Sequence, residues 1–94
     1  MKRRQKSVKA FHVRTIERND LTKTEKLIFT AILTYRDTSG SFPVCNPTQL
    51  EITKRSSVTS STAIKDACDA LEELGIIMVI NRGGRNNYYF PDLY

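Results

Sequence analysis

Hydroxyl and amino side chains cluster at one point of the chain. Ser60, Ser61 and Thr62 are adjacent, and Lys65 follows within one helical turn of Thr62. These groups donate hydrogen bonds that phosphate oxygens and the edges of nucleic-acid bases accept. The plainer interpretation is an ordinary exposed helix face. The pattern favours nucleic-acid contact through hydroxyl groups, or through the shape of the duplex, over base readout by arginine.

Two arginines flank a pair of glycines further along the chain. Arg82 and Arg85 enclose residues 83–84, a Gly-Gly pair that supplies the positive φ angles of a tight hairpin. Guanidinium groups at a hairpin tip can contact phosphates or enter a minor groove. We therefore predict DNA contacts for Arg82, Arg85 and the neighbouring Asn86. A solvated turn is the alternative for the same residues.

The positive charge of the chain is concentrated at its start. The 94 residues have a formal net charge of +5. Residues 1–18 hold seven basic residues and one acid, whereas residues 19–94 hold eight basic and nine acidic residues. Basic arms commonly bind polyanions, and the alternative is a solvated tail. We predict an arm over residues 1–18, with Lys2, Arg3 and Arg4 contacting DNA, and a domain over residues 19–94.

The composition argues against an enzyme and against a metal centre. Cys45, Cys68 and His12 are too few for a tetrahedral zinc site within one chain, and the sequence has no nucleophile motif or glycine-rich phosphate loop. We expect no cofactor and no disulfide. The longest unbroken apolar run, residues 76–80, is too short to cross a bilayer, and the basic N-terminus lacks the apolar core of a secretory signal. We therefore expect a cytoplasmic protein without a membrane partner.

A first helix is predicted where a capping box precedes an apolar pattern. Thr22 and Glu25 have the capping-box spacing, so the helix should begin at residue 23 and run to about Tyr35. One face of this helix should join the core, because its apolar residues recur at helical spacing. These residues are Leu27, Ile28, Ala31, Ile32 and Tyr35.

The same helix carries a second apolar stripe. Phe29 and Leu33 lie four residues apart on a different face, which needs a partner of its own. The partner could be the segment 11–16 or a second subunit. We predict a homodimer whose interface includes Phe29, Leu33, Phe11 and Val13.

Two more helices are predicted before the end of the chain. Asn46 and Pro47 predict a short helix over about residues 47–54, which buries Leu50 or Ile52. At its end, Lys54 and Arg55 are plausible phosphate contacts. A third helix should begin near Ser60 and end before Gly75, a glycine expected in the left-handed conformation. Its apolar stripe is Ile64, Ala67, Cys68, Leu71 and Leu74.

The remainder of the chain is predicted to form strands. Residues 76–80 are apolar and residues 88–90 are aromatic, so they should pair across the glycine turn. Residues 42–45 could add a third short strand. The exposed face of the third helix changes from hydroxyl groups to acids along its length, so only its N-terminal half should approach DNA.

Taken together, residues 20–90 resemble the winged helix-turn-helix domains of phage and plasmid replication initiators, primosomal proteins and small regulators. The resemblance implies an α+β fold of three helices plus a two- or three-stranded β-wing. It also implies that the third helix lies in the major groove of double-stranded DNA, beside a basic wing. The residues that carry it are 21–27, 42–43, 47–49, 54–55, 60–67, 71–77 and 82–89.

The resemblance leaves several biological roles open. The chain could be a plasmid or phage regulator or segregation protein, or the origin-binding part of a longer replication initiator. Each role implies association with a nucleoid or plasmid, and a protein partner in a replication or partition complex is possible. The alternative from another class is a protein-interaction module without intrinsic DNA affinity.

Overall fold

The structure is a computed structural model that describes residues 8–39, 44–82 and 85–93. Within these ranges it is an α+β fold of four α-helices and a three-stranded antiparallel sheet. Lys2, Arg3 and Arg4 of the predicted arm, and the glycines of the predicted turn, lie outside the described residues. The helices are α1 (Val8–Ile16), α2 (Lys23–Ser39), α3 (Gln49–Ser56) and α4 (Ser61–Glu73), and the strands are β1 (Val44–Cys45), β2 (Met78–Arg82) and β3 (Arg85–Tyr89), followed by a 3-10 turn (Pro91–Leu93).

The start of α2 is fixed by its predicted capping box. The Thr22 N–H donates to Glu25 Oε1 at 2.9 Å, and the Glu25 N–H donates to Thr22 Oγ1 at 3.1 Å. Each side chain therefore satisfies a backbone N–H that the helix leaves free. The helix extends to Ser39, one turn beyond its predicted end.

The predicted start of α3 is wrong by two residues. Thr48, not Asn46, is the N-cap, and it forms a capping box with Glu51. The Glu51 N–H donates to Thr48 Oγ1 at 3.2 Å, while the Thr48 N–H donates to Glu51 Oε1 at 2.9 Å. Pro47 precedes the helix and is buried. The shift turns Ile52 into the core, at 1 % exposure, and leaves Leu50 62 % exposed.

Both ends of α4 agree with the sequence pattern. Ser60 is the N-cap and accepts a hydrogen bond from the Ala63 N–H at 3.2 Å. Gly75 has φ +75°, a conformation that glycine adopts without the steric penalty of a side chain. Leu74 was predicted in the core but is exposed, because the helix ends at Glu73 and the chain turns away. Ile76 and Ile77 are buried instead.

The sheet has the order β1-β3-β2. β2 and β3 form a hairpin whose last pair before the turn is Arg82 and Arg85. β1 pairs with the other edge of β3, with Val44 opposite Tyr89, which confirms the predicted third strand for residues 44–45. β2 begins at Met78, two residues later than predicted.

Three phenylalanine rings form the centre of the core. Phe11 comes from α1, Phe29 from α2, and Phe90 directly follows β3. The ring centroids are 5.4 Å apart for Phe11–Phe29, 5.9 Å for Phe11–Phe90 and 6.1 Å for Phe29–Phe90, and every pair is edge-to-face. This geometry favours aromatic pairs because the positive ring edge meets the negative face.

The predicted dimer interface needs correction. Phe11, Phe29 and Leu33 are at most 3 % exposed within a single chain, so they offer no surface to a second copy. Phe29 of the second stripe packs on Phe11 of α1, which belongs to the segment that the sequence left open as the alternative partner. Val13, at 39 % exposure, is the one predicted interface residue that faces outward. The core also extends into the segment 1–18 that was predicted as a basic arm, since Phe11 is one of the core residues.

We predict that Phe11→Ala lowers the free energy of unfolding by about 3 kcal/mol or more, because it removes a buried ring and leaves a cavity. Urea unfolding followed by circular dichroism measures this. Val13→Ala, two residues away on the same helix but exposed, is the control and should change stability by less than about 1 kcal/mol. Equal, small effects of both substitutions would mean that α1 is not part of the folded core.

Burial raises the pKa of the Cys68 thiol to about 11, and a hydrogen bond with Tyr88 acts in the opposite direction. Below about pH 9 the thiol is neutral in both folded and unfolded chains. Between about pH 9 and 11 only the unfolded thiol ionises, so stability should fall with rising pH by about 2–3 kcal/mol from this group. Urea unfolding under reducing conditions should show a smaller alkaline loss for Cys68→Ala. Identical pH slopes for both proteins would contradict the assignment.

Candidate nucleic-acid interface

An open groove of about 730 Å³ lies between the start of α3, the outer face of α4 and one face of the β2–β3 hairpin. Its floor is apolar, and its walls are polar. The floor residues are Ile52, Ile64, Cys68, Val79 and Tyr88. Since the same residues pack against or within the core, the groove is anchored to the rigid part of the fold.

Four of the predicted contact residues meet along this groove. Ser61, Thr62 and Lys65 come from α4, and Asn86 comes from β3. They are separated in sequence by up to 25 positions, and the packing of α4 beside the hairpin brings them together. Ser60 does not line the groove, and its hydroxyl accepts the Ala63 N–H as the N-cap of α4.

The N-terminal turn of α4 is the electropositive end of the helix. It contains no acidic residue, and it carries the hydroxyl side chains of Ser61 and Thr62. Both residues are exposed. This turn therefore presents neutral donors together with the positive end of the helix dipole, a combination that binds anions.

Lys65 is held by an acid on its own helix. Its Nζ lies 3.0 Å from Asp69 Oδ2, one turn further on, with the two side chains 76 % and 60 % exposed. The hydrogen bond to Asp69 is the main cause that raises the pKa of Lys65 above its ordinary value. The lysine is therefore positively charged at neutral pH, but its charge is locally compensated.

Glu72 joins α4 to the edge of the hairpin. Its Oε2 accepts a hydrogen bond from the Val79 N–H at 3.1 Å. β2 is an edge strand, and edge strands present free backbone groups that can pair with other chains. The carboxylate occupies one of these groups and fixes the hairpin against the end of α4.

The predicted contacts did not include several polar residues that line the groove, namely Thr48, Gln49, Asp69, Glu72 and Asn81. Asn81 lies opposite Asn86 in the sheet, and its side-chain amide donates to Asn86 Oδ1 at 2.8 Å. Alternation along β2 from Val79 would have placed Asn81 on the groove face. Gln49 also lines the groove, and the error in the start of α3 concealed its position.

Lys54 and Arg55 lie at the other end of α3 and do not line the groove. Arg55 contacts α2: its guanidinium carbon lies 5.5 Å from the centroid of the Tyr35 ring, and its Nη1 donates to Thr34 Oγ1 at 3.5 Å. These contacts give Arg55 a packing role between helices. Lys54 is exposed and makes no salt bridge within the described residues.

The groove is divided by charge. Donor groups dominate where α3 and α4 begin, and the carboxylates of Asp69 and Glu72 stand toward the end of α4. Across the described ranges, no cluster of three or more His, Cys, Asp and Glu side chains could hold a metal ion. None of the helices described has the length and apolar character to cross a membrane. The arrangement is suited to binding a polar, hydrogen-bond-accepting ligand at one end of the groove.

Comparison with known proteins identifies no relative, because no protein-family model, no curated protein and no solved structure matches the chain. The functional assignment therefore depends on the groove, its charges and the elements that hold it.

Proposed function

We propose that this chain is a DNA-binding protein of the winged helix-turn-helix class that binds double-stranded DNA. In this proposal α3 and α4 form the helix-turn-helix, with the N-terminal half of α4 in the major groove. The β2–β3 hairpin is the wing, with Arg82 and Arg85 at its tip on the phosphate backbone. Lys2, Arg3 and Arg4 add backbone contacts from the N-terminal side.

The observation that carries the proposal is the convergence of donor side chains on one groove. Ser61, Thr62 and Lys65 stand on one side of it and Asn86 on the other. A duplex offers acceptors both on its backbone and on its base edges, so a helix and a hairpin that present donors side by side can contact both. The order helix, helix, strand, strand from α3 onward supports the same class.

The charge along α4 sets its orientation in the proposed complex. The first turn has no acid, whereas the later turns carry Asp66, Asp69, Glu72 and Glu73. Phosphates repel these carboxylates at short range. The helix therefore enters the groove by its first turns, with its axis tilted so that the C-terminal half points away from the duplex.

The acidic half of α4 favours a second candidate function. Acids outnumber lysine four to one on this helix, which is typical of a surface that binds a basic protein partner rather than DNA. In that case the winged helix is a protein-interaction module without intrinsic DNA affinity. Binding to DNA, and its dependence on salt, distinguish the two candidates.

We expect the purified chain to bind a random-sequence duplex in a salt-dependent manner. Fluorescence anisotropy at several salt concentrations measures this binding. Arg85→Ala should weaken binding and reduce the slope of log K against log salt by about 0.9, since one phosphate contact is lost.

Arg14→Ala is the control for Arg85→Ala. It removes the same charge from an exposed residue of α1, and Arg14 does not line the groove. The slope should change less for this variant than for Arg85→Ala. Absence of binding at low salt would reject the proposed function and favour the protein-interaction module.

A further inference from the structure

The ion pair between Lys65 and Asp69 has the less stabilising of the two possible orientations on α4. A lysine that precedes its acid by four residues is the weaker of the two orientations for such a pair. Acids near the C-terminal end also oppose the helix dipole, and α4 has no basic residue in its last turn to offset them. Helix stability therefore does not explain why Asp69 stands beside Lys65.

The position of the pair points to the groove instead. Lys65 and Asp69 both line it, and the carboxylate lies 3.0 Å from the lysine Nζ. A phosphate oxygen that binds the same ammonium group would take a position at the same distance. Asp69 thus takes up one of the three N–H donors of Lys65 and compensates the charge that would otherwise attract a phosphate of bound DNA. Because both side chains are largely exposed, the pair is weak and exchanges readily.

We propose that Asp69 is a specificity-determining residue that competes with DNA phosphate for Lys65. This inference rests on the proposed function and adds a mechanism to it. On an unspecific duplex, releasing Lys65 would leave the Asp69 carboxylate facing phosphates. Because this repulsion cancels much of the new contact, Lys65 stays paired with Asp69. On a preferred site, hydrogen bonds from Ser61 and Thr62 to base edges supply the additional binding energy.

The mechanism separates Asp69 from the other acids of the helix. Glu73 is equally an exposed carboxylate on α4, but it does not line the groove. Glu72 lines the groove, but its carboxylate bonds to the Val79 N–H. Asp69 is the acid that both lines the groove and contacts Lys65 within the described residues. Loss of one negative charge should therefore have different effects at positions 69 and 73.

The experiment compares wild type, Asp69→Asn and Glu73→Gln on two duplexes: a random-sequence duplex, and the sequence that wild type enriches from a randomised library. Asp69→Asn should bind the random duplex about tenfold more tightly, with a smaller gain on the enriched sequence, because it removes a like charge that suppresses unspecific contact. Its salt slope on the random duplex should steepen by about 0.9, as Lys65 becomes free for one phosphate. Glu73→Gln should change both quantities less.

A second comparison tests whether Lys65 transmits the effect. Lys65→Met should weaken binding to the random duplex more in the Asp69→Asn background than in wild type, since the lysine is uncompensated there. Circular dichroism should show the same fold for all variants.

Equal effects of Asp69→Asn and Glu73→Gln, with wild type still binding DNA, would overturn the role of Asp69 and leave the proposed function standing. A wild-type chain that binds neither duplex would overturn both.

Discussion

The contact between Phe11, Phe29 and Phe90 is the constraint on which the rest of the structure depends. It joins the first described helix, the longest helix and the residue that follows β3. Because Phe90 is fixed between the other two rings, β3 is fixed as well, and β2 with it. The hairpin therefore stands at a defined position beside α4. The three-ring cluster therefore links the first described helix to the residue after β3, two parts of the chain that are far apart in sequence.

α4 serves both the core and the groove, and its rotation couples the two. Ile64 and Leu71 are at most 5 % exposed, and their burial directs the adjacent face of the helix, with Ser61 and Lys65, toward the groove. The core thus decides which polar residues are presented. The order of those residues along the helix then decides the sign of the charge, from neutral donors at the start to carboxylates at the end. One helix can therefore attract a polyanion with its first turns and limit unspecific attraction with its later ones.

The sequence was sufficient to predict the ends of helices where only one residue pattern could form the cap. As predicted, Ser60 is the N-cap of α4 and Gly75 follows its end, and Thr22 caps α2. It was insufficient to predict the start of α3, where two possible capping boxes overlap in the sequence. Asn46 with Gln49 and Thr48 with Glu51 both have capping-box spacing, and the structure uses the second pair. β1 ends at Cys45 and the chain must cross from the sheet before the helix starts, which is a tertiary constraint that no local pattern contains.

The candidate site was predicted in part for the same reason. Donor residues on α4 were recognisable by type, but their convergence with Asn86 depends on packing over long sequence distances. The most direct test of the central claim is a titration of the isotope-labelled chain with a random-sequence duplex at low salt, followed by amide chemical shifts. The account predicts that the largest shifts fall on residues 60–65 and Asn86, while the buried Thr15 of α1 is unaffected. Shifts confined to α1, or no shifts at all, would contradict it.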